Sequence, residues 1–282
     1  MAKQLKLGLI IGSGGLKCAA AIGVMQVLEQ EHIPIDMVVG CSGGAIFGAS
    51  IAMGFSTEKM IAILPQTWTR ESTHIIDFRS LAKIALPRVL GFDDEIGILD
   101  DRGLMDGLER AYGAETTFTN MKIPFYCMAT DFHTGEPVVI SSGRVIKAIR
   151  ASAGIPIFFK PIELNGRWLI DGGLSNPLPI DIAIREGADI IIAVGFETPL
   201  VQSVSSPANF ASQMFNILVN QLLSRKFAFY NLAHHSEIIT IIPHFEKEIR
   251  LGDVDEIPYI IEQGRNETLK HIQYLKQLLF PN

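Results

Sequence analysis

The stretch Val38-Val39-Gly40-Cys41-Ser42-Gly43-Gly44-Ala45 constrains this chain more than any other. It reads as the end of a strand, a very tight turn and the first turn of a helix. Ser42 stands at the apex of a G-x-S-x-G frame, with Gly40, Gly43 and Gly44 around it. A serine on so sharp a strand-to-helix turn holds a strained backbone, so its neighbours must lack bulk at Cβ. The helix that follows, expected from Gly44 to about Met53, aims its N-terminus at the serine. Its free N–H groups and dipole favour negative charge there. Ser42 is thereby offered as an exposed nucleophile beside an anion-stabilising helix end. Taken alone, the pentapeptide fits a Gly-rich packing turn equally well, so its meaning rests on the chain on either side.

Leu5 to Ile11 is a continuous apolar run that fits a buried strand. Gly12-Ser13-Gly14-Gly15-Leu16-Lys17 follows, then a helix from about Cys18 to Gln30, and Ile35 to Val39 is the next strand. Strand, Gly loop, helix, strand, nucleophile turn and helix imply a parallel sheet covered on both faces. The Gly loop is no dinucleotide fingerprint, because Lys17 stands where glycine is required, and it lacks the Gly-Lys-Ser/Thr of a phosphate-binding loop. Two readings remain. Consecutive glycines before a helix can aim bare N–H groups at one point as an oxyanion hole, with Lys17 adding positive charge. The alternative is a plain strand-to-helix turn.

Further along, helices are expected at Thr57–Leu64, Ser80–Ile84 and Gly103–Tyr112, with loops at Leu86-Pro87 and 91–95. Ile75, Ile76, Phe78, Leu81, Ile84, Leu86, Val89, Leu90 and Phe92 make an apolar insertion that either caps the sheet edge or lines an acyl-chain pocket. Pro124–Thr130 is a strand, and Val138–Ser141 pairs back on it after a turn that Asp131 and His133 brace. Val145–Ala151 is a short helix. The strand Trp168–Ile170 ends at Asp171-Gly172-Gly173, a carboxylate beside two glycines, where parallel sheets build sites at their carboxyl edge. A helix at Ile180–Glu186 and a buried strand at Asp189–Val194 follow. Ala208 to about His234 is a long helix with a stripe of Phe210, Met214, Phe215, Leu218, Leu222, Phe227 and Phe229, read as core-facing rather than membrane-facing. Ile238–Ile242 is the last strand, and Ile257–Leu279 a terminal amphipathic helix interrupted at Gly264.

Composition narrows the function classes. The net charge of −6, with no basic block, argues against a nucleic-acid partner. The 3 cysteines, Cys18, Cys41 and Cys127, are widely spaced and form no C-x-x-C pattern, which argues against a disulfide framework or a zinc site and for a cytoplasmic setting. No apolar run of about 18 residues lacks turn signals, so no transmembrane helix is expected. Asp93-Asp94-Glu95 and Asp100-Asp101 lack the alternation and turn glycine of a calcium loop, so neither metal nor cofactor is expected.

In the order Gly-rich loop, G-x-S-x-G, D-G-G, the chain resembles the patatin-like phospholipase family, bacterial-type lipid acyl hydrolases that use a Ser–Asp dyad. The matching residues are Ser13-Gly14-Gly15-Leu16-Lys17, Gly40-Cys41-Ser42-Gly43-Gly44 and Asp171-Gly172-Gly173, and Arg150-Ala151-Ser152-Ala153-Gly154-Ile155-Pro156 is similar to the loop before the aspartate. The resemblance covers roughly Leu5 to Gly195. It implies an α/β fold of three layers, α/β/α, with a mainly parallel central sheet. It also implies one domain over 1–282, with a core of about 5–195 and a C-terminal helical extension of about 208–282.

Carried over by match, Ser42 is the nucleophile and Asp171 its base. The N–H groups of Gly14 and Gly15 form the oxyanion hole, and Lys17, Gly40, Gly43, Gly44, Gly172 and Gly173 support it. Ser13 and Cys18 depart from the family pattern, which more often has glycine, or glycine or alanine, at those places. The implied partner is a lipid or acyl-ester substrate, with peripheral membrane contact and no cofactor. An aspartate near its reference pKa of about 3.9 is ionised at neutral pH and can take the serine proton. The acyl chain, worth about 0.8 kcal/mol per buried methylene, is expected between residues 75–92 and the long helix near Phe210–Leu223.

Two other classes compete. A Ser-His-Asp hydrolase would draw on His234, His235, His244 or His271, but its serine usually follows several strands, whereas Ser42 follows two. A catalytically weak lipid-binding or regulatory protein would keep the motifs without turnover. Oligomeric state, head-group and chain-length preference are left open.

Overall fold

The apolar runs form the middle of a mixed sheet in the computed structural model, which describes residues 5–67, 96–197, 207–233 and 236–280, and 77, 80, 82, 83, 89 and 200 besides. The strands are β1 (Leu7–Ile11), β2 (Met37–Cys41), β3 (Phe125–Asp131), β4 (Pro137–Ile140), β5 (Ile162–Leu164), β6 (Arg167–Asp171), β7 (Ile190–Val194) and β8 (Glu237–Ile241). They hydrogen-bond in the order β5-β6-β3-β2-β1-β7-β8, with β4 also on β3. From β3 to β8 all pairings are parallel. β4, β5 and β6 add an antiparallel flank.

The helices are α1 (Ala20–Gln30), α2 (Gly43–Ala52), α3 (Thr57–Thr67), α4 (Arg102–Tyr112), α5 (Val145–Ser152), α6 (Ile180–Arg185), α7 (Pro207–Ala233) and α8 (Ile257–Leu279). They fall into two layers because the strands alternate their side chains between two cores. Leu7, Leu9 and Ile11 of β1 and Val38 of β2 pack with α1, α2, α5 and α8. Ile10 of β1, and Met37, Val39 and Cys41 of β2, pack on the other face with Leu178, α6 and Leu223 of α7. Both faces of β1, β2 and β7 are fully buried, which is why these strands are unbroken apolar runs in sequence. The result is a three-layer α/β/α fold.

Some details differ from the sequence reading. Residues Gly15–Ala19 are a 3-10 turn that precedes α1, so the helix starts at Ala20 rather than Cys18. The short strand β5 was not anticipated; it pairs with β6 across Asn165-Gly166, both of which have positive φ. Gly264 does not interrupt α8, which is continuous from Ile257 to Leu279. A Cβ there would lie 2.1 Å from the Ala20 carbonyl oxygen, so this glycine lets α8 lie directly against α1. Of the anticipated helix over 80–84, Ser80, Ala82 and Lys83 are described and helical, whereas 81 and 84, both loops near 86 and 91–95, most of the apolar insertion at 75–92, His234, His235 and the side chains of Phe227 and Phe229 lie outside the described residues.

Candidate active site

Ser42 and Asp171 meet because two strands end against each other on one edge of β3. β4 occupies the other edge over Cys127–Thr130. On the shared edge, β2 runs parallel to β3 and its last pair is Cys41 with Met128. β6 runs antiparallel, and its last pair is Asp171 with Ala129, the next residue along β3. The carboxyl ends of β2 and β6 therefore point at each other, with Ser42 leaving one and Asp171 closing the other. The sequence reading placed Asp171 at the carboxyl edge of a parallel strand. The antiparallel direction of β6 instead delivers it from the opposite side.

The turn holding Ser42 is strained as its frame predicts. Ser42 has φ +56° and ψ −126°, a conformation that a residue with a Cβ rarely adopts. Its backbone N–H donates to Ser152 Oγ at 2.9 Å, and that hydroxyl donates to the Met128 carbonyl at 2.5 Å. Ser152 thus ties the Ser42 turn to the middle of β3. Gly43 is needed for contact: a Cβ there would stand 2.3 Å from the Gly15 carbonyl oxygen. Gly40 and Gly44 are likewise in backbone contact, Gly40 with the start of α2 and Gly44 with the carbonyls that end β1.

Ser42 Oγ donates to Asp171 Oδ2 at 2.6 Å. The other carboxylate oxygen accepts the Gly173 N–H at 2.7 Å. Thr130 Oγ1 donates to the Asp171 carbonyl at 2.8 Å, and the Asp171 N–H donates to the Gly154 carbonyl at 2.9 Å. A Cβ on Gly172 would lie 2.3 Å from the Met128 carbonyl oxygen, so this glycine lets the strand end sit on β3. Asp171 is fully buried. Burial raises its pKa to about 7, against the opposing pull of the Ser42 hydroxyl and the Gly173 N–H. The expectation of an ordinary carboxylate near 3.9 is therefore corrected: desolvation outweighs both hydrogen bonds.

The Gly loop closes over the same point. The Gly15 backbone abuts Gly43, and Ser13 Oγ would lie 2.9 Å from a Cβ on Gly173. Gly15 itself has φ +56°. Among the described residues, no backbone carbonyl accepts the N–H of Gly14 or Gly15. Lys17 is buried, its ammonium donates to the Glu197 carbonyl at 2.9 Å, and desolvation lowers its pKa to about 8. The lysine ties the loop to the segment after β7. Cys18, the other departure from the family pattern, is buried and donates its thiol to the Gly12 carbonyl at 3.3 Å. Burial pushes all three thiols up, Cys127 to about 12, so none is poised as a nucleophile.

Sequence reasoning gave no role to Ser152, Thr130 or Arg150. Arg150 is buried; its Nε donates to Asp101 Oδ2 at 2.7 Å and its Nη2 to the Lys160 carbonyl at 2.8 Å, bracing the loop that contains Gly154. Ser152 and Arg150 both lie in the 150–156 segment quoted for the resemblance, which was the available signal. Among the described residues no histidine bonds to Ser42 or Asp171; His271 lies 3.7 Å from Glu267 instead. Asp131 accepts the N–H groups of His133 and Thr134 within its own turn. Among the described residues no group of three or more His, Cys, Asp or Glu could hold a metal ion, and no helix is long and apolar enough to cross a membrane. The long-helix stripe does not face the core as expected: Phe210, Met214 and Leu218 are exposed and Phe215 and Leu222 half-buried, whereas the buried residues of this helix, Val219 and Leu223, lie outside the stripe.

A family model described as patatin-like phospholipase matches residues 9–184. An uncharacterised NTE family protein of Mycobacterium tuberculosis is 32% identical over 67% of this chain and 48% of its own length. The patatin-like phospholipase domain-containing protein 7 of Rattus norvegicus is 27% identical over 67% of this chain and 13% of its own length. The lysophospholipase NTE1 of Mycosarcoma maydis is 28% identical over 67% of this chain and 10% of its own length. The chain thus matches about half the length of the first of these relatives and far less of the other two. The crystal structure of VipD from Legionella pneumophila shares the fold, with a TM-score of 0.54 at 13% identity over 97% of this chain and 67% of that one.

Proposed function

The chain belongs to the patatin-like phospholipase family, and on that premise we propose that it is a lipid acyl hydrolase that cleaves carboxylic esters through a Ser42–Asp171 dyad. The observation that carries this reading is the 2.6 Å hydrogen bond from Ser42 Oγ to a fully buried Asp171 carboxylate. Ser42 Oγ attacks the ester carbonyl while its proton passes to Asp171 Oδ2. The tetrahedral oxyanion is held by the N–H groups of Gly14 and Gly15 and by the N-terminus of α2; each oxyanion donor is worth about 3 kcal/mol. Collapse expels the alcohol, which takes the proton from Asp171 and leaves an acyl-Ser42. Water then attacks the acyl-enzyme and gives a proton to the same carboxylate, and collapse frees the fatty acid as Ser42 Oγ leaves and takes that proton back from Asp171. The relatives' names, a lysophospholipase among them, support a lipid ester as substrate.

The test is mutational. Ser42→Ala and Asp171→Asn are each expected to lower ester turnover by about a thousandfold or more, and Ser42→Ala to abolish labelling by a fluorophosphonate probe. If Asp171→Asn retains activity while a histidine substitution silences it, the dyad is wrong and a triad operates. If the unsubstituted protein neither turns over esters nor reacts with the probe, it is a lipid-binding or regulatory member of the family.

A further inference from the structure

The chemistry proposed for Ser42 makes no use of the exposed half of α7. The C-terminal part of that helix is docked. Val219 and Leu223 are buried, and the Lys226 ammonium donates to Asn176 Oδ1 at 2.5 Å and lies 3.3 Å from Asp181 Oδ1. These partners stand where α6 begins, next to Pro177, whose carbonyl accepts the Ser13 N–H at the carboxyl edge of the sheet. From Lys226 only residues 227–233 of the helix remain before the chain reaches β8, which starts at the opposite edge, beside Ile190. The residues before Val219, 207–218, span roughly 18 Å at about 1.5 Å per residue and run on from the docked part past the edge that carries Ser42 and Asp171.

On this overhang Phe210, Met214 and Leu218 recur at every fourth position, and so share one face of the helix. They are 57%, 41% and 53% exposed. Single exposed apolar residues are ordinary, but three large ones in a row on one helix face mark a contact surface. The charge is as telling. The chain has 30 acidic residues and a net charge of −6, yet the 27 residues of α7 include no Asp or Glu, and their only charges are Arg225 and Lys226. Lys226 is held by Asn176 and Asp181, so Arg225 is the exposed charge of the helix; an apolar stripe with an exposed arginine and no acidic residue suits a phospholipid surface, whose head groups carry negative phosphates and whose acyl layer takes the apolar side chains.

We infer that the Phe210–Met214–Leu218 face of α7 inserts into the interfacial layer of a phospholipid bilayer and sets the catalytic edge against it. The choice of a lipid surface rests on the hydrolase reading of Ser42 and Asp171, but the binding can be measured without turnover. Ser42→Ala protein, with native α7 or with Phe210→Glu or Leu218→Glu added, is floated with phosphatidylcholine vesicles, with and without phosphatidylglycerol. The native face should float with the vesicles, and each glutamate should weaken partitioning by about tenfold or more.

In the active protein, the same substitutions should lower hydrolysis of vesicular phospholipid while turnover of a water-soluble short-chain ester and the melting temperature stay unchanged. Flotation that fails with native α7, or that ignores both glutamates, overturns the inference. So does a light-scattering mass showing a dimer that either glutamate dissociates, because the face then covers a second copy. A parallel loss of soluble-ester turnover would make these residues part of the substrate pocket and also overturn it. Face-dependent flotation of a protein that hydrolyses no ester would support the docking surface while refuting the hydrolase.

Discussion

Burying Asp171 completely raises its pKa to about 7, and the consequences for rate and for stability run in opposite directions with pH. The base must be ionised to accept the Ser42 proton, so kcat/KM for a soluble ester should rise about tenfold per pH unit up to about 7 and then level off. For stability, the folded pKa lies above the unfolded value of 3.8. Between those two values the unfolded chain has released a proton that the folded chain still holds, so stability falls as pH rises through that window. Asp171→Asn removes this cost. Its melting temperature should match the unsubstituted protein near pH 4 and exceed it increasingly toward pH 7 to 8, as read by thermal unfolding across pH. A flat difference would mean that Asp171 is ionised in the fold throughout.

Ser152 makes a separate prediction at this scale. Ser152→Ala leaves the Ser42 N–H without its acceptor, at a cost of about 1–3 kcal/mol, and loosens a turn held at φ +56°. kcat should fall about tenfold to a hundredfold with KM little changed, and Ser152→Thr should restore most of it. Unchanged kcat would reduce Ser152 to packing. That Ser42 and Asp171 belong together was legible because each has glycine neighbours that crowd into a short motif. The pKa of Asp171 and the grip of Ser152 were not, because both depend on contacts with residues far away in sequence, such as Met128.

At the scale of elements, the site exists because β2 and β6 run head-on along β3, and that pairing has no local signature. β6 is expected from its own residues, but whether it lies parallel or antiparallel depends on the connection through β5 and the turn at Asn165-Gly166. α7 shows the same limit. Its apolar stripe marks a helix, yet the helical period alone does not say which part meets the core: Leu223 does and Phe210 does not.

The glycine contacts between elements, by contrast, lead to a clean test. In Gly43→Ala the new methyl would need space 2.3 Å from the Gly15 carbonyl oxygen, so α2 and the Gly loop must part. Overpacking of this kind costs about 1–3 kcal/mol. The melting temperature should drop, and fluorophosphonate labelling of Ser42 should slow by about a hundredfold, since it needs both the turn and the loop donors. Gly166→Ala is the control. Gly166 has φ +74° and open space around its Cβ position, so substitution should cost about 1 kcal/mol of backbone strain and leave labelling intact. Equal effects of the two substitutions on labelling would show that the contact between Gly43 and Gly15 does not hold the site together.

Across the whole molecule, the residues that carry the family match end at 184, but the packing that supports them continues to the C-terminus. β7 and β8 extend the parallel sheet on the far side of β1. α8 lies along α1, which follows the Gly loop directly. Two glycines set the approach: a Cβ on Gly23 would fall 2.0 Å from the Ile261 carbonyl oxygen, and one on Gly264 would fall 2.1 Å from that of Ala20. Around these contacts α8 buries Ile257, Ile260, Ile261, Ile272 and Leu275. At about 1.5–3 kcal/mol for each buried side chain, their loss amounts to roughly 7–15 kcal/mol, the size of an entire domain stability of about 5–15 kcal/mol. A chain truncated after Glu256 should therefore fail to unfold cooperatively, expose the apolar face of α1 to a hydrophobic dye, and leave Ser42 unreactive toward the probe, although every motif residue is still present. The competing expectation is a core of 5–195 that stands alone with an appended helical extension. Under that view the truncated chain keeps a sharp thermal transition and a labelled Ser42, and α8 is then an accessory to the fold.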